Sequence, residues 1–110
     1  MPKYMFQAIY TADGLKGLEK DKAAGRKAAL AKALEAVGGK LETLYWSFGE
    51  HDWILTADVP DNASATAFSF AVSKSDLLRV TTTPLLSVEE TEAALQKQVN
   101  FQAPGHYSGG

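Results

Sequence analysis

The stretch Leu41-Glu42-Thr43-Leu44-Tyr45-Trp46-Ser47-Phe48-Gly49-Glu50-His51-Asp52-Trp53-Ile54-Leu55-Thr56-Ala57-Asp58-Val59 decides the fold. In its second half Trp53, Leu55, Ala57 and Val59 alternate with Ile54, Thr56 and Asp58. That is the period-two signature of a strand with one face buried. The first half, Leu41 to Phe48, reads as another strand. The Gly49–Asp52 link is too short for a crossover, so the two runs pair antiparallel.

Moving outward, the period changes. Upstream, Ala29, Leu30, Ala33, Leu34 and Val37 recur three and four apart, which predicts an amphipathic helix over about Lys22 to Val37. Gly38-Gly39 is placed to end it with a left-handed cap. Leu15 and Leu18 suggest a short helical turn before it, and Tyr4 to Tyr10 reads as a first strand. Downstream, Pro60-Asp61-Asn62 ends the strand and caps a helix over about Ala63 to Ser73, with Phe68 and Val72 toward the sheet. Leu77 to Thr83 predicts a fourth strand, closed by Pro84. Ser87 and Glu90 have capping-box spacing and open a third helix to about Val99. The order β-α-β-β-α-β is the split-βαβ motif, an α+β ferredoxin-like fold with a four-stranded antiparallel sheet in the order 4-1-3-2 and an extra C-terminal helix. Residues 1–100 are expected to form one domain and 101–110 a flexible tail.

Composition narrows the classes of function. The 110 residues are 45% hydrophobic and 22% charged, with a net charge of −2, which gives no reason to expect a nucleic-acid or anionic-membrane partner. There is no cysteine, which excludes disulfides, thiolate metal sites and cysteine nucleophiles. No secretory signal and no membrane-length apolar run is visible, so a cytoplasmic protein is the expectation.

Strand parity sorts the side chains by face. Trp53, Leu55, Ala57, Val59, Tyr4, Phe6, Ala8, Leu78 and Val80 fit the helix-covered side. The opposite face then mixes Met5, Ile9, Ile54 and Leu77 with Gln7, Thr56, Asp58, Arg79 and Thr81. A wet face has no need of the apolar members, and a dry core does not tolerate unpaired charge. The mixture predicts a sheet that packs on another copy of itself and encloses a partly polar space.

Met1-Pro2-Lys3-Tyr4, Gly38-Gly39-Lys40-Leu41, Phe48-Gly49-Glu50-His51-Asp52, Pro60-Asp61-Asn62-Ala63 and Thr82-Thr83-Pro84-Leu85-Leu86 resemble the GYD-domain family, in the right order over nearly the whole chain. The resemblance implies the dimeric α/β-barrel superfamily, with the chain itself as partner in a homodimer or higher homo-oligomer. Gly49 and Asp52 match the family's hairpin, whereas His51 stands where the family usually has Tyr. The family carries no settled biochemical activity, so the resemblance speaks to fold and assembly.

Candidate chemistry centres on the hairpin and the far face. His51, oriented by Asp52, is a candidate general base; a solvated hairpin residue and a turn-fixing carboxylate are the competing readings. Gly49 suggests a positive φ or a bulge. Glu50-His51-Asp52 is poor chelate geometry, because neighbouring strand residues point to opposite faces, and neither a metal nor a cofactor is expected. Asp58 and Arg79 are either an interface salt bridge or, through Arg79, a bidentate carboxylate binder. Gln7, Tyr45, Trp46 and Trp53 are candidate ligand contacts, with core packing the alternative for the aromatics. His106 sits in the tail and carries no role. Two functions fit: a small-molecule-binding or accessory protein acting as a homo-oligomer, and a cofactor-independent monooxygenase-like or isomerase-like enzyme on a small aromatic substrate. Whether the chain is an enzyme stays open at this point.

Overall fold

The computed structural model of the chain describes residues 1–105; the last part of the expected tail, 106–110 with His106, lies outside the described residues. The elements are β1 (Lys3–Tyr10), α1 (Ala12–Ala36), β2 (Lys40–Trp46), β3 (Trp53–Asp58), α2 (Asn62–Ser73), β4 (Leu78–Leu85) and α3 (Val88–Leu95). The strands form one antiparallel sheet in the order β2-β3-β1-β4. The fold is therefore ferredoxin-like, as the pattern order predicts.

One face of the sheet carries the core. Tyr4, Phe6, Ala8, Trp53, Leu55, Ala57, Val59 and Leu78 are buried there against Leu30 and Leu34 of α1 and Ala65 and Phe68 of α2. Phe68 meets Phe6 edge to face, with centroids 4.8 Å apart. Alternation along the strands explains which residues go in. Helix spacing explains why Leu30 and Leu34, four apart, go in together.

Local signals set most helix ends. Asp61 accepts from Ser64 N–H at 2.8 Å and starts α2. Ser87 and Glu90 make the complete capping box of α3. Gly38, at φ 78°, donates to Glu35 O, while Gly39 N–H reaches Leu34 O at 2.8 Å. That pair of bonds is a Schellman cap, and its left-handed residue suits glycine.

The helix expected from about Lys22 does start there: a helix through Leu15 and Leu18 and a second one meet end to end, with Lys22 at φ 67°, ψ 164° between them. Three boundaries differ from the expectation. β2 stops at Trp46, because Ser47 N–H already turns to Asp52 O at 2.8 Å. β4 continues through Pro84, since an edge strand tolerates a residue without an N–H. α3 ends at Leu95 rather than near Val99.

The segment after β4 behaves unlike the rest. α3 has no buried residue and makes no extensive contact with another element. Leu86, Val88, Leu95, Val99 and Phe101 are all exposed. Among the described residues, this arm leaves its apolar side chains without cover from its own chain.

Candidate functional site

The face of the sheet away from α1 and α2 contains no buried residue. Its side chains form rows that follow from the strand register. One row runs Tyr45, Ile54, Gln7, Thr81; the next runs Thr43, Thr56, Met5, Thr83. Ile9 lies opposite Arg79 at one end, and Lys3 lies between Asp58 and Leu85 at the other. Apolar and polar groups thus interleave along this face. Leu77, expected on it, stands one residue before β4, where its carbonyl accepts from Thr11 N–H at 2.9 Å.

The Lys3 end holds a polar network. The Lys3 ammonium bonds Glu42 and Asp58, Glu42 accepts from Thr56 at 2.8 Å, and Thr56 shares a hydrogen bond with Thr43. A bulge between Leu41 and Thr43 makes room for Glu42 in the register. The hydrogen bond to Lys3, then that from Thr56, holds the Glu42 carboxyl below its ordinary value. Lys3 is raised by Glu42 first and Asp58 second. A depressed carboxyl contributes stability above its unfolded value and loses it as pH falls through its folded value. A raised ammonium keeps its contribution until pH climbs through its own folded value. The network therefore stays intact across neutral pH and opens in acid.

At the other end the hairpin folds over the sheet. Asp52 joins three segments: its N–H donates to Ala8 O at 2.7 Å, its carbonyl accepts from Ser47 N–H at 2.8 Å, and its carboxylate accepts from Tyr10 N–H at 2.7 Å. It holds the hairpin to β1. His51 is half-buried, with Nδ1 3.4 Å from Gln7 Nε2. Gly49 has no positive φ, contrary to expectation; its N–H donates to Ser47 Oγ at 3.1 Å.

The expected residues divide between the two faces. His51, Gln7, Tyr45, Asp58 and Arg79 belong to the open face, where Tyr45 is 70% exposed. Trp53 is fully buried in the core, and Trp46 lies beside it on the helix side, its indole N–H buried without a partner among the described residues. Tyr45 and Trp46 are sequence neighbours on a strand, so they cannot line one pocket from the same face. Asp58 and Arg79 also part company. Their partners on β1, Lys3 and Ile9, are six residues apart, about 20 Å along a strand. Within one chain Asp58 pairs with Lys3, and Arg79 has no ion-pair partner among the described residues.

The Lys3–Glu42–Thr56–Thr43 network was missed from sequence. Its only sequence signal is parity: Lys3 and Asp58 both fall on the far face, but the register joining β1 to β3 is not local. Among the described residues no group of three His, Asp or Glu side chains could hold a metal ion. No described helix is long and apolar enough to cross a membrane.

Comparison with known proteins agrees with this architecture. The family model of the GYD domain matches residues 4–95, from the first strand through the third helix. A search of curated proteins finds no match.

Proposed function

The chain belongs to the GYD-domain family, and on that premise we propose that it works as a homo-oligomer whose paired sheet faces enclose a small-molecule site. The observation that carries this reading is the open face itself. Ile9 and Tyr45 lie there exposed, and Met5 and Ile54 half-buried, beside Gln7, His51 and Arg79. Pairing with a second copy removes the apolar members from water. It also leaves Gln7, His51 and Arg79 around a space that a polar ligand can satisfy. His51 supplies that site's imidazole and Arg79 its cation. Nothing in the arrangement requires catalysis.

The reading is tested by thermal-shift screening of small aromatic acids and amides on the wild type and His51→Ala. Measurements at about pH 5.5 and pH 8 bracket the range in which histidine titrates. A ligand should raise the melting temperature of the wild type with a pH dependence that His51→Ala lacks. Equal stabilisation of both proteins at both pH values would clear His51 of a role.

The exposed arm belongs to the same assembly. A fully buried apolar side chain contributes ~1.5–3 kcal/mol, so covering even two arm residues strengthens association by on the order of 10²-fold or more. A chain ending at Leu86, which keeps all of β4, should retain its circular-dichroism spectrum but associate more weakly. Unchanged mass and melting would make the arm an appendage.

A further inference from the structure

We infer that the arm is exchanged between copies: α3 of one closes over the start of β4 in the other, with Glu92 on the partner's Arg79. The inference rests on the paired-sheet reading and says how the pair is locked. The receiving surface is a cleft of about 510 Å³ at the β4 edge of the sheet, lined by Thr11, Ser73, Asp76, Leu78, Arg79 and Val80. Ile9, opposite Arg79, and Leu77, beside Leu78, are exposed next to it.

The two surfaces match in polarity and in charge. Val88 and Leu95, seven residues apart and both exposed, lie along one side of α3, with Glu92 four residues after Val88 on the same side. An amphipathic helix of this spacing is built to lie in a groove. Val88–Leu95 carries Glu89, Glu90 and Glu92 and no Lys or Arg. Glu90 is taken up by the Ser87 N–H in the capping box, whereas Glu92 has no ion-pair partner among the described residues. The cleft offers the opposite sign. Arg79 is exposed and has no ion-pair partner among the described residues, and the stretch from Lys74 to Arg79 sets two bases against one acid, Asp76. Leu78 and Val80 give the cleft its apolar wall.

Topology assigns the arm to a second copy. In its own chain the arm leaves β4 at Leu85, six residues and about 20 Å along the strand from Arg79, and α3 makes no extensive contact with any element. Pairing removes that distance. A two-fold axis across the strands lays the Lys3 end of one open face on the Arg79 end of the other, with the sheets about 10 Å apart. Each arm then starts about one sheet spacing from the partner's Arg79. An axis along the strands keeps both arms at the Lys3 ends and brings neither to Arg79. One carboxylate takes one edge of the guanidinium and leaves donors for the enclosed site, which the partner's arm thus helps to wall.

Mixing two charge-reversed variants of the full chain tests the exchange. Arg79→Glu alone sets acid against acid at both contacts, and Glu92→Arg alone sets base against base. Each should weaken association about tenfold or more in sedimentation, because like charges facing across an interface are costly. Both positions are exposed, so circular dichroism should be unchanged. Mixed one to one, the two variants regain an acid–base pair at both contacts. The mixture should therefore associate as the wild type does, and native mass spectrometry with one variant isotope-labelled should find the mixed species in excess over either variant alone. A pair made within one chain, or an arm that takes a different protein, gains nothing from mixing. A mixture no tighter than its components, or single variants that associate like the wild type, would overturn the arm exchange and leave the paired sheets standing. A wild type that sediments as a monomer would remove both.

Discussion

Ile54→Glu should convert the protein from an assembly of at least twice its 11.8 kDa chain mass into a monomer. Ile54 stands in the centre of the open face, between Tyr45 on β2 and Gln7 on β1. It is half-buried within its own chain, so glutamate there meets water while the chain is alone. Against a second sheet the same carboxylate loses its hydration and finds no cation in its own row. Desolvating an unpaired charge costs several kcal/mol, a loss of about 10³-fold or more in association. Sedimentation at micromolar concentration reads the mass, and circular dichroism confirms that the monomer is folded. Ile54→Thr, which keeps a β-branched side chain without charge, should weaken association less. A wild type that sediments as a monomer, or an Ile54→Glu protein of unchanged mass, would remove the paired-sheet reading.

Trp53→Ala should cost about 3–5 kcal/mol of folding stability, as expected for a large aromatic deleted from a packed core. Trp53 is fully buried, with Ala8 on one side and Trp46 on the other across the sheet. Urea titration measures the loss, which should not depend on protein concentration. Tyr45→Ala provides the contrast. Tyr45 lies on the open face, so its loss should act through association and vary with concentration. Concentration-dependent loss in Trp53→Ala, or a small effect there, would contradict the division of aromatics between the two faces.

That division shows where reading the sequence succeeded and where it stopped. Alternation in Trp53-Ile54-Leu55-Thr56-Ala57-Asp58-Val59 identified the buried face, because each strand residue reports its own side. Ser87 and Glu90, Asp61, and Gly38-Gly39 announced their caps, because each bond spans five residues or fewer. The same local reading grouped Tyr45, Trp46 and Trp53 around the hairpin, although strand parity sends Tyr45 to the opposite face from the two tryptophans. It offered Asp58 and Arg79 as an interface pair; within one chain the register sets them at opposite ends of the sheet, and whether they meet is a matter for the partner copy.

Order, face and caps were thus determined by the sequence itself, through short-range periodicity and backbone hydrogen bonding. Tertiary structure alone decided the rest. Asp52 became the clamp on β1 because its carboxylate meets Tyr10 N–H, 42 residues away. Gly14 became obligatory because Leu77 O passes over it. Each depends on which distant strand or turn arrives beside it. That is set by packing the whole sheet against its helices, and no window of neighbouring residues contains it.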